Sequence, residues 1–154
     1  MSNGKYDVND LKQKLAAFFE MRMEVVFAYL FGSVACDRAT PISDIDVAVA
    51  VDFSRIHAAD YPYGYQAGLT SHLMHVLNSN NVDLVLLNEA APAVKYRIFT
   101  SGISVFCRNL ELERKAFIRA FQQYQDTAPL RKIQMFYLQR YLKGLGESRF
   151  HGRS

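Results

Sequence analysis

A chain of 154 residues is one domain's worth of sequence, half of it hydrophobic and about a fifth charged, which excludes disordered and fibrous classes and leaves an ordinary globular domain. The net charge is only +3, but residues 1–107 carry eight Lys/Arg against eleven Asp/Glu, and residues 108–154 carry ten against four. The basic C-terminal third either meets something acidic, a protein face or nucleic acid, or is a solvated basic helix. Cys36 and Cys107 are too few for a disulfide framework, no run approaches the roughly 18 apolar residues of a membrane span, and the opening MSNGKYDVNDLKQKL lacks the apolar segment of a secretory signal. The expectation is a cytoplasmic protein with reduced thiols.

Asn9 or Asp10 is placed to cap a first helix, in which Leu11, Leu15, Phe18 and Phe19 recur at helical spacing to about Met21. Val25 to Phe31 is a continuous apolar run and predicts a buried strand. It ends at Gly32-Ser33, a tight turn into a short stretch that Thr40-Pro41 breaks. Ser43 to Val51 predicts a second strand, 53–64 a loop, and Gln66 to Leu77 a helix. Asn78 to Asn81 is a turn cluster, Val82 to Leu87 a third strand, Pro92 to Thr100 a helix and Ile103 to Cys107 a fourth strand. From Glu111 the pattern is helical, interrupted at 126–129, with a last helix from about Pro129 to Leu142. One α+β domain over 1–143 results, its helical extension spanning about 111–143, with a flexible tail at 144–154.

The chemistry gathers around Gly32-Ser33, a gap of ten residues, and Asp44-x-Asp46. In a strand, Asp44 and Asp46 point the same way with Cα atoms about 6.6 Å apart. Two carboxylates on one face repel, and a divalent cation with oxygen ligands relieves them; Mg²⁺ typically takes one or two carboxylates plus substrate phosphates. Gly32 allows a close backbone approach, and Ser33 adds a hydroxyl donor beside the free N–H groups of the turn. Asp83 lies in an apolar strand, where an isolated charge is costly. It reads as a second metal ligand or general base, or else as a strand-edge residue pointing to water.

These residues resemble a family. GSVACDRATPISDIDVAV resembles the nucleotidyltransferase superfamily pattern, and the small size and element order resemble its minimal members, the MNT-domain proteins. The later stretch VDLVLLNEAAPAVKYRIFTSGISVFCRNLELERKAF is similar to MntA-type antitoxins, which are encoded beside HEPN-domain ribonuclease toxins. The resemblance implies a nucleotidyltransferase fold, a mixed four-stranded sheet flanked by helices with C-terminal helices added. It implies Asp44, Asp46 and Asp83 as catalytic, metal-binding carboxylates, with one Mg²⁺ or two. Gly32 and Ser33 become triphosphate contacts and ATP the substrate. The implied function is an antitoxin that moves AMP onto a tyrosine of a HEPN toxin in a hetero-oligomer, with no membrane and no direct nucleic-acid role. The alternatives are an antitoxin that neutralises by binding alone and a small-molecule nucleotidyltransferase.

The motif departs from its family at one place. A basic residue and a glycine are usual after Gly-Ser-x-Ala, and here Cys36 and Asp37 stand there. Arg38 is the nearest substitute for nucleotide binding, about 200° around a helix from position 36. His72 and His75 read as helix-surface histidines rather than ligands. Lys95 and Arg97 either reach phosphate or pair with surface carboxylates. The aromatic series Phe117, Phe121, Tyr124, Phe136, Tyr137 and Tyr141 is core or, where the sheet cannot cover it, a partner face.

Overall fold

The computed structural model describes residues 6–36, 38–40 and 43–150, the last five by backbone alone. The described elements run α1 (Val8–Glu20), β1 (Val25–Phe31), α2 (Gly32–Ala35), β2 (Ile45–Val51), α3 (Tyr65–Leu77), β3 (Val82–Leu86), α4 (Pro92–Ser101), β4 (Ile103–Cys107), α5 (Leu110–Asp126) and α6 (Ala128–Phe150). Two single 3₁₀ turns, Phe53–Arg55 and Ala58–Asp60, punctuate the expected loop.

The strands lie in the order β3-β2-β1-β4. β1 is antiparallel to both β2 and β4, while β2 and β3 are parallel. The expected mixed four-stranded sheet is therefore present. A parallel neighbour needs a crossover, and α3 supplies it. The central position of β1 explains its unbroken apolar sequence, since helices cover both faces there.

On one face, Leu15 and Phe19 of α1 and Leu69 and Leu73 of α3 are fully buried against Leu30, Val47 and Val49. Each such side chain contributes about 1.5–3 kcal/mol by leaving water. On the other face, Ile98 and Phe99 of α4 pack on Phe27, Tyr29 and Ala48. Phe99 meets Tyr29 edge-on at 5.4 Å and Phe117 of α5 at 5.7 Å. The buried Glu113 of α5 accepts a hydrogen bond from the Tyr29 hydroxyl, which satisfies a carboxylate in the core.

Three boundaries differ from the expected ones by more than one residue. The cap of α1 is Asp7, whose carboxylate accepts the Asn9 N–H at 2.9 Å. Val8 packs against the core one turn before Leu11, so the apolar stripe and its cap begin earlier than Asn9 or Asp10. β2 starts at Ile45, whose N–H reaches the Asn81 carbonyl, leaving Ser43 and Asp44 ahead of the strand. α6 continues to Phe150, beyond Leu142. Gly144 and Gly146 weaken the sequence signal there without ending the helix.

Only Thr127 separates α5 from α6, and Pro129 sits in the first turn of α6, where its missing N–H costs no bond. The junction is tied down by aromatic and cationic stacking. Tyr124 stacks on Tyr96 at 4.1 Å, and the Arg131 guanidinium lies 3.6 Å over the Tyr124 ring. Beyond it Phe136, Tyr137 and Leu138 stay at least half exposed, so the sheet does not cover α6. No described helix is long and apolar enough to cross a membrane.

Candidate active site

β1 delivers the chain to Phe31, which is in register with Asp46 on the antiparallel β2. The next residue, Gly32, has φ +73°, a conformation that disfavours any Cβ. A Cβ built there would stand 2.0 Å from Asp46 Oδ2. The close approach that requires glycine is thus made by the Asp46 carboxylate itself.

Asp46 is in register with Asp83 across the parallel β2–β3 pair. Alternation puts Asp46 on the same face as Ala48 and Ala50, and Asp83 on that face with Val85. Asp46 is half-buried, whereas Asp44 and Asp83 are exposed. Burial, then the charge of Asp83, then that of Asp44 push the Asp46 carboxyl above the usual carboxylate range. Asp83 thus stands beside Asp46 in the sheet, and Asp44 lies near enough for its charge to bear on Asp46. Among the described residues they do not close into a complete metal cage. The donor chemistry nevertheless fits Mg²⁺, which completes its shell with water and substrate phosphates rather than with protein alone.

A cavity of about 410 Å³ opens beside Asp46. Gly32, Ser33 and Arg38 line one side, and Arg97 and Ser101 of α4 line the other. Among the described residues neither Arg38 nor Arg97 has a carboxylate within ion-pair distance. Cys36 also lines this cavity, while Asp37 and Pro41 lie outside the described residues. The arrangement offers one half-buried carboxylate flanked by two others, a hydroxyl and two guanidinium groups, a set suited to a polyphosphate.

Residues 13–111 match the family model described as polymerase beta, nucleotidyltransferase. The chain belongs to the polymerase beta nucleotidyltransferase family. No curated protein matches it. Among solved structures, the nucleotidyltransferase resembles a toxin–antitoxin crystallised with AMP-PNP, with TM-score 0.68 and 22% identity over 83% of this chain and 98% of that one. It resembles the toxin–antitoxin MntA-HepT, with TM-score 0.64 and 20% identity over 85% and 98% of the two chains. It also resembles a complex of a tri-AMPylated Shewanella oneidensis HEPN toxin with an MNT antitoxin, with TM-score 0.63 and 21% identity over 85% and 98%. At these identities the likeness establishes the nucleotidyltransferase fold.

The remaining residues sort by place. Arg97 faces the Asp46 cavity, and Lys95, two residues earlier, lines a different one. No local pattern in the sequence separates them; the docking of α4 on β1 does. His72 Nδ1 lies 2.7 Å from Arg22 Nη2 as an acceptor on the surface, and His75 is exposed. Neither belongs to a metal group among the described residues.

Proposed function

We propose that this nucleotidyltransferase is the antitoxin of a HEPN-domain toxin and silences it by transferring AMP from ATP to a tyrosine hydroxyl of that toxin. The observation that carries the reading is Asp46, held against Gly32, in register with Asp83, and opening on a cavity with two arginines. The AMPylated HEPN toxin in the Shewanella oneidensis complex with an MNT antitoxin, a structure this chain resembles, supports a toxin as the acceptor. Arg97, arriving from α4, supplies the positive charge that the family pattern places near position 36.

In this reading Asp44, Asp46 and Asp83 would hold Mg²⁺, one ion or two, which neutralises charge on the phosphate oxygens when bound. Ser33, Arg38 and Arg97 bind the triphosphate and fix the α-phosphorus for in-line attack. The tyrosine oxygen forms a bond to that phosphorus while the bond to the β-phosphate oxygen breaks. Pyrophosphate leaves with the electron pair, and the phenolic proton passes to the exposed Asp83 carboxylate. The exposed α6 face meets the toxin, forming a hetero-oligomer in the cytoplasm.

A second reading, neutralisation by binding alone, is favoured by Cys36-Asp37 in place of the basic residue and glycine. Incubating the co-purified pair with ATP and Mg²⁺ and weighing the toxin by mass spectrometry separates the two. Added AMP units that vanish in Asp44→Asn and Asp46→Asn support the transferase. An inhibited toxin of unchanged mass defeats it and leaves the binder.

A further inference from the structure

A second cavity, of about 610 Å³, opens on the Asp46 face of the sheet at the opposite end. Phe27 in its wall is four residues, about 13 Å at the strand rise, from Phe31 at the active-site end. Lys95 of α4 and Lys115 and Arg119 of α5 line it together, and no carboxylate does. Lys115 and Arg119 are one helical turn apart and so share a side of α5. Lys115 has a loose, exposed contact with Glu111 at 3.6 Å, and among the described residues Lys95 and Arg119 have no carboxylate within ion-pair distance.

Three like charges around one concavity repel, and an anion there would offset that repulsion. Apart from Asn88 and Gln123 the rest of the wall is apolar, and Phe99 is the part-exposed aromatic in it. Inorganic phosphate would use the cations and leave the aromatic wall idle. A nucleic-acid backbone or a lipid surface calls for an open basic stripe, whereas this is a concavity of small-ligand size. A ligand with a phosphate at one end and an aromatic body at the other uses both halves.

We propose that this cavity is a second site, binding a nucleoside monophosphate with its phosphate on Lys95, Lys115 and Arg119 and its base against Phe99. It lies apart from the Asp46 carboxylates and requires no divalent cation. α4 carries Lys95 and Phe99 to this site and Arg97 and Ser101 to the active site, so the occupant bears on a helix that lines both.

Calorimetric titration of the whole chain with AMP in EDTA tests the assignment. The expected result is one saturable site, weakened about tenfold or more by Lys95→Ala or Arg119→Ala and unmoved by Asp46→Asn, with inorganic phosphate binding less tightly than AMP. Thermal unfolding of each variant confirms that it is folded, and Lys115→Ala serves if either is not. No saturable AMP binding, binding indifferent to the cation changes, loss in Asp46→Asn, or phosphate binding as tightly as AMP each overturns it. Because Asp46→Asn abolishes the proposed transfer and spares this site, the two ideas fail separately.

Discussion

Replacing Gly32 with alanine asks two things of the protein at once. The new residue must hold φ +73°, and its Cβ must share space with Asp46. The first demand costs about 1–2 kcal/mol for an L-residue. The second is set by contacts of 2.0 Å to Oδ2 and 2.9 Å to Cγ, both shorter than any Cβ tolerates, so the carboxylate has to move. Overpacking of this kind adds about 1–3 kcal/mol. Gly64 is the internal control, because its φ is +93° and nothing lies within 4 Å of its would-be Cβ. Gly64→Ala therefore carries a backbone cost without a clash, at φ +93° and ψ 152°. The cycle with Asp46→Ala isolates the clash at Gly32: removing Oδ2 and Cγ leaves only the Asp46 Cβ, at 3.3 Å, which neighbours can accommodate. A coupling of about 1–3 kcal/mol is expected from urea unfolding of the four proteins with a common slope. AMP transfer by Gly32→Ala should fall about a hundredfold, since its carboxylate is displaced by an ångström or more. An additive cycle would refute the claim that glycine is there to admit Asp46.

The same carboxylate predicts a trade of stability for activity. Folding raises the Asp46 pKa, so its charge destabilises the fold above that raised pKa, and the penalty disappears as pH falls below the unfolded value. Asp46→Asn should stabilise the metal-free protein at pH 7, and the gain should shrink as pH falls through the raised pKa and vanish below the unfolded value. Urea titrations at several pH values read it; a gain that grows on acidification contradicts the sign. Arg97→Ala should raise KM for ATP about tenfold to a hundredfold and leave the melting temperature within about 1 °C, whereas Lys95→Ala should leave KM alone if the two cavities are separate. Tyr29→Phe removes one hydrogen bond to the buried Glu113 carboxylate, leaving it the Cys107 thiol, and should cost about 1–3 kcal/mol in chemical denaturation, while a neutral result would mean that water replaces the hydroxyl. Phe136→Asp with Leu138→Asp should dissociate the toxin complex on gel filtration without unfolding the chain; an intact complex would place the docking face elsewhere.

The sequence by itself determined the elements and the chemical type of the site. The continuous apolar run at Val25–Phe31 announces a strand buried on both faces, because burial leaves no position for a polar residue. Gly32-Ser33 followed by Asp44-x-Asp46 announces the carboxylate pair, because side-chain direction in an extended segment is fixed by local geometry. The tertiary structure alone decided what stands next to what. The register of β2 on β3 sets Asp83 beside Asp46, although 37 residues separate them. The docking of α4 aims Arg97 at the active site and Lys95 at a second basic cavity, although the two are nearly adjacent in the chain. Helical rotation turns a two-residue step through about 200°, so neighbours in sequence face different surroundings, and only the packing of the helix tells which is which. For the same reason Gly32 was legible as a place for a close approach, while the group that approaches, Asp46, came from the pairing of β1 with β2.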